Sequence, residues 1–169
     1  MTRTAKVLLA VVASGVPAAL VWLWLGRPAE WLATERGLVL TESAARGQFQ
    51  VVAVFTLIGV VVGVVSGVVT QRLTRPGRWQ DVLGLTAASG AAALLCWQIG
   101  VRLGPEPPGE ATGLEVLDTV PAQFAVDAVA PFLLWPLAAV LGYTLSVYLS
   151  HDGEDESEPD EQLSARSLP

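Results

Sequence analysis

Apolar positions along the 169-residue chain gather into four long stretches that contain no Asp, Glu, Lys or Arg. A helix that crosses a bilayer needs about 20 consecutive apolar residues. The stretches predict four such helices, over residues 7–25, 49–69, 82–101 and 128–149. The first follows a basic leader carrying Arg3 and Lys6, and its 19 residues would rise roughly 28 Å as a helix, close to the thickness of a bilayer core. Pro17 is then a kink within it. Cleavage as a signal peptide near Val16-Pro17-Ala18 is the competing reading, against which the apolar run continues through Trp22, Leu23, Trp24 and Leu25. The second stretch is the most apolar, with ten Val, Phe49, Phe55, Leu57 and Ile58. At about −0.3 to −0.6 kcal/mol each, these residues favour insertion by roughly 4 to 8 kcal/mol. Valine would suit a strand, but a strand rarely exceeds ten residues, so length decides for a helix.

The third stretch is rich in Gly and Ala and needs protein neighbours; Asp81 is placed to cap its start and Arg102 to meet the carboxyl end of its dipole. In the fourth, Pro131 falls in the first turn and Pro136 deeper, where it should bend the helix. The two longer connections predict a small ribbon, with strands at residues 37–42 and 114–117, and an interfacial helix over 122–130 after Pro121.

Composition supports the membrane reading, since 52% of residues are hydrophobic and 15% charged, where a soluble domain has about 25% charged. The net charge of −6 adds a division within the chain. Up to Ser150 the charges cancel, and the whole excess falls in residues 151–169, which hold seven acids and Arg166. That segment predicts a disordered acidic tail, and its spacing lacks the ligand pattern of a calcium loop. Arg72, Arg75 and Arg78 crowd the hairpin between the second and third helices without an acid, whereas the connection after Arg102 carries five acids up to Asp127. The positive-inside rule then places both termini in the cytoplasm. Trp22, Trp24, Trp31, Trp97 and Trp135 would form an outer aromatic belt, with Trp79 and Tyr148 an inner one.

Few residues invite chemistry. Gly59, Gly63 and Gly67 recur every four residues, a small-residue packing stripe on one face of the second helix. Two readings stay open: contact with another helix of the same chain, to which Gly84, Ala88 and Ala92 or Ala138, Gly142 and Ser146 offer matching faces, or a homodimer or partner interface. Gln50, Gln98, Arg102 and Asp127 form a candidate polar cluster at the outer leaflet, where an intramembrane polar group is a functional hypothesis by default and snorkelling to water is the simpler account. Cys96, Ser66 and Ser89 have no base beside them. No catalytic residue, cofactor or metal site is expected, and no nucleic-acid partner.

Residues 5–150 resemble a family of small multi-pass membrane proteins of actinobacteria known only as a domain of unknown function. The features that carry it are Trp22-Leu23-Trp24-Leu25, the loop at 37–42, Gln48-Phe49 at the start of the second helix, the charged hairpin, the Gly/Ala-rich third helix and the hydrophilic tail. The resemblance implies a plasma-membrane location and carries over no site residue. Together these readings predict an all-α four-transmembrane-helix bundle with short extracytoplasmic loops, surrounded by the lipid bilayer. It would serve as a non-enzymatic scaffold or accessory subunit of a cell-envelope complex, with an envelope protein or a second copy as partner. The alternative is a small transporter or channel component for an apolar or neutral solute, which needs no intramembrane charge.

Overall fold

Among the described residues, four helices are long and apolar enough to cross a bilayer: Arg3–Leu25, Gly47–Leu73, Trp79–Leu103 and Ala130–Ser150. The computed structural model describes residues 2–28, 30–34, 37–40, 42–74, 79–105 and 118–155. In chain order the elements are α1 (Arg3–Ala13), α2 (Gly15–Leu25), β1 (Glu30–Thr34), β2 (Gly37–Leu40), α3 (Glu42–Leu73), α4 (Trp79–Leu103), β3 (Thr119–Pro121) and α5 (Ala130–Asp155). The chain is a four-helix transmembrane bundle. Each predicted span lies within or overlaps one of these helices, and the helices run past the apolar stretches at most ends. The last reaches Asp155, five residues into the predicted tail, and residues 156–169 lie outside the described residues.

The first span is two helices in line. Pro17 offers no N–H to the carbonyl of Ala13, and the break falls three residues before it, at Ser14. The Ser14 amide donates to the carbonyls of Ala10 and Val11 at 3.0 and 3.2 Å, and its hydroxyl donates to Val11 at 2.6 Å. These bonds close the end of α1 while Ala18 restarts the ladder on Ser14 at 3.2 Å.

The connections at the far end build a three-stranded antiparallel sheet of order β2-β1-β3. Trp31 at its centre pairs with Leu40 on one side and Val120 on the other. The strand expected at 37–42 is β2; the one expected at 114–117 lies outside the described residues, and β1 and β3 are additions. The interfacial helix expected over 122–130 does not form. Residues 122–128 are extended, with Ala122, Phe124 and Val126 buried in alternation, and helix begins only at Ala130. Pro131 is the reason: further back in a helix its ring would clash with the carbonyl of Asp127, so it stands in a first turn.

Helices pack as two parallel pairs. A methyl built on Gly63 would stand 2.6 Å from the carbonyl oxygen of Trp135 and 2.9 Å from Cβ of Ala138, and one on Gly67 would stand 2.6 Å from the amide of Tyr143. Residue numbers rise together, so α3 and α5 run in the same direction. The first span pairs with α4 likewise, Leu8 meeting Gly84, Gly15 meeting Ala92 and Trp22 meeting Gly100.

Partners in both pairs lie about 75 residues apart, and the sequence repeats at that offset. Residues 13–22, Ala-Ser-Gly-Val-Pro-Ala-Ala-Leu-Val-Trp, match 88–97, Ala-Ser-Gly-Ala-Ala-Ala-Leu-Leu-Cys-Trp, at six of ten positions. Residues 47–54, Gly-Gln-Phe-Gln-Val-Val-Ala-Val, match 122–129, Ala-Gln-Phe-Ala-Val-Asp-Ala-Val, at five of eight. The bundle is therefore two copies of a helix–loop–helix unit stacked side by side, each helix lying against its own counterpart.

Candidate functional site

The sheet end of the bundle is closed by aromatic rings. Trp22 of α2 meets Phe55 of α3 at 5.1 Å between centroids and Phe124 of the extended segment at 5.2 Å, both edge to face. Phe55 continues the cluster to Phe132 at 5.2 Å and Trp135 at 5.4 Å, and Trp97 joins Phe132 at 6.0 Å. Such pairs contribute about 0.5–1.5 kcal/mol each beyond their buried area. The Trp22 indole N–H also donates to the carbonyl of Val51 at 2.9 Å, tying the first span to α3 in the interior.

Small residues make room for these rings. A methyl on Gly26 or Gly100 would run into the ring of Phe124 or Trp22 respectively, and one on Gly104 would stand 3.0 Å from Phe124. The extended segment is held at its other side by the Gln48 amide, which donates to the carbonyl of Ala125 at 3.2 Å. Ala122 packs against Trp31, joining the segment to the sheet. Trp22 and Trp135, expected in the outer belt, are instead fully buried in the core, while Trp24, Trp79 and Tyr148 project outward.

All four members of the predicted polar cluster, Gln50, Gln98, Arg102 and Asp127, are exposed, and none lines either groove described below. Arg102 occupies the last turn of α4. The polar group that does reach inward is Gln48, two residues before Gln50 and on the opposite face. The glycine stripe of Gly59, Gly63 and Gly67 packs inside the chain, on Trp135, Ala138, Ala139 and Tyr143 of α5.

A second polar group escaped the sequence reading, at the Arg3 end. Ser146 of α5 donates to the side-chain oxygen of Gln71 on α3 at 3.0 Å, with both residues buried. Thr70 beside it is fully buried, and Asp81 is buried within electrostatic reach of Tyr143. Asp81 is the third residue of α4, so it lies in the first turn instead of capping it; a carboxylate there still faces the positive end of the dipole. The spacing shows this in retrospect: Asp81, Leu85, Ala88, Ala92 and Cys96 form one buried face at helical intervals. Cys96 on that face is a free thiol enclosed by apolar neighbours.

Two grooves open between the first span and α3. One, of about 410 Å³, lies between α1 and the end of α3 near Leu73, with Arg3 and Lys6 at its mouth. The other, of about 390 Å³, continues between α2 and α3 along Val21, Leu57, Ile58 and Val61. Ser14 borders both. Among the described residues no three His, Cys, Asp or Glu side chains gather as metal ligands would. Comparison with family models, with curated proteins and with solved structures finds no match.

Proposed function

We propose that the protein is a non-enzymatic scaffold or accessory subunit of a cell-envelope complex in the plasma membrane, with both termini cytoplasmic. One observation carries the reading: the interior at the sheet end is filled by interlocked rings, and the polar groups predicted to gather there are spread over the exterior. A conducting path for a solute would have to continue through the sheet end, where the rings stand. The setting follows the actinobacterial resemblance, and the orientation follows the Arg-rich hairpin. On the outer side the sheet presents β2 at its edge, a backbone surface to which a partner strand adds by main-chain hydrogen bonds.

Site-specific photo-crosslinking in cells tests this. A crosslinker at Val39 on β2 should trap one stoichiometric membrane or envelope protein, and a crosslinker at Leu141, on the lipid-facing side of α5, should not. Recovery of the uncrosslinked monomer alone from Val39, or the same products from both positions, would overturn the reading.

A further inference from the structure

At the Arg3 end the two repeated units differ in what fills the space beside the first helix of each. Leu85 of α4 is fully buried in a cluster with Val11, Ala139 and Tyr143, and so fills the space between α4 and α5. Its counterpart 75 residues earlier is Ala10, whose side chain stops at Cβ, and the matching space between α1 and α3 stays empty. The same offset sets Lys6 against Asp81: in one unit an exposed cation at a groove mouth, in the other a buried acid.

The shape and charge of this groove match one kind of occupant. Arg3 and Lys6 are one helical turn apart, on the same side of α1, at the end where the helix leaves the membrane. From Arg3 to Ser14 the helix rises about 17 Å, close to the depth of one leaflet of a roughly 30 Å core. The walls below the cations are apolar, with Val65 and Val69 of α3 more than two fifths exposed along the opening. A phosphate bound at the two cations would leave its acyl chain alongside Ala10 and Ser14.

We propose that this groove binds one anionic phospholipid, with the headgroup phosphate between Arg3 and Lys6 and one acyl chain laid along α1 against Val65 and Val69. Zwitterionic lipids fit the apolar part equally well, so preference for the anionic lipid comes from the two cations. At roughly 1 kcal/mol for each of the two cations near a charged lipid surface, about thirtyfold discrimination is expected. The site is independent of the envelope partner proposed above, since it uses the opposite end of the bundle.

Native mass spectrometry of the full chain in mild detergent reads this directly, with phosphatidylglycerol and phosphatidylcholine of identical acyl chains as probes. The expected result is one phosphatidylglycerol bound about thirtyfold more tightly than phosphatidylcholine. In the Arg3→Gln, Lys6→Gln double variant the difference should fall to about twofold or less. Ala10→Leu installs the side chain its counterpart already carries and should abolish binding of both lipids while the bundle stays folded. Glycerol phosphate, which has the anion without the chain, should displace neither. Equal affinity for the two lipids, selectivity retained in the double variant, or displacement by glycerol phosphate would overturn the proposal. Should a variant fail to fold, the wild-type protein decides with a phosphatidylglycerol bearing a photoreactive acyl chain. Crosslinks at Ala10, Val65 or Val69 support the site, and crosslinks confined to the Leu133 to Leu145 side of α5 overturn it.

Discussion

At Gly63 a single added carbon would meet the backbone of α5, and that contact is why the stripe recurs every fourth residue. In a bilayer helices gain little from burying apolar surface, so close backbone approach and van der Waals packing hold them together. Gly63→Ile should therefore separate α3 from α5: the purified protein should lose its monodisperse peak in mild detergent, and unfolding should move to lower denaturant. Gly90 is the control, since nothing lies within 4 Å of a methyl added there; Gly90→Ala should leave the fold intact and raise stability by up to about 1 kcal/mol through helix propensity. Trp22→Phe keeps most of the ring packing and removes the bond to Val51. An interhelical hydrogen bond in a membrane protein averages about 0.6 kcal/mol and reaches about 1.7, which sets the loss expected in an equilibrium unfolding titration. The stripe itself was legible from spacing alone. Extending it backward through Phe55 and Val51 would also have reached Gln48 and passed over Gln50, whose type attracted notice but whose face is outward.

Among the elements, the segment at 122–128 departs furthest from its sequence pattern. Its counterpart at 47–53 is helical, although Gln, Phe, Val and Ala recur at matching positions in the two. Identical residues then take opposite roles: Phe49 is 75% exposed on α3, and Phe124 is 3% exposed within the ring cluster. Local propensity could not reveal this, because Phe124 is held by groups from distant parts of the chain, Gly26, Gly104 and Trp22. The transmembrane helices were legible for the converse reason, since length and the absence of charge are properties of each stretch alone. Phe124→Ala should release the segment, costing about 3 kcal/mol or more as for other buried aromatic truncations. Hydrogen exchange should quicken over residues 122–128 and at the start of α5, while the α3 amides around Gly63 keep their protection.

For the whole molecule, the charge arithmetic concerns orientation more than stability. Arg3, Lys6 and Arg72 mark one end of the bundle, and Glu30, Asp118 and Asp127 mark the other together with Arg27 and Arg102. With the proposed orientation, a membrane-impermeant maleimide added to intact cells should label Glu30→Cys and leave Arg72→Cys unlabelled until the membrane is opened; labelling of Arg72→Cys alone would reverse the topology. The native thiol, Cys96, is buried and contributes no background. The two stacked units also share one polarity across the bundle. Each contributes two crossings, so the second unit enters the membrane with the same polarity as the first. Transporters built from inverted halves alternate access by letting each half adopt the other's shape, which turns an outward opening into an inward one. Here an exchange of shapes between halves would leave any opening on the side where it began.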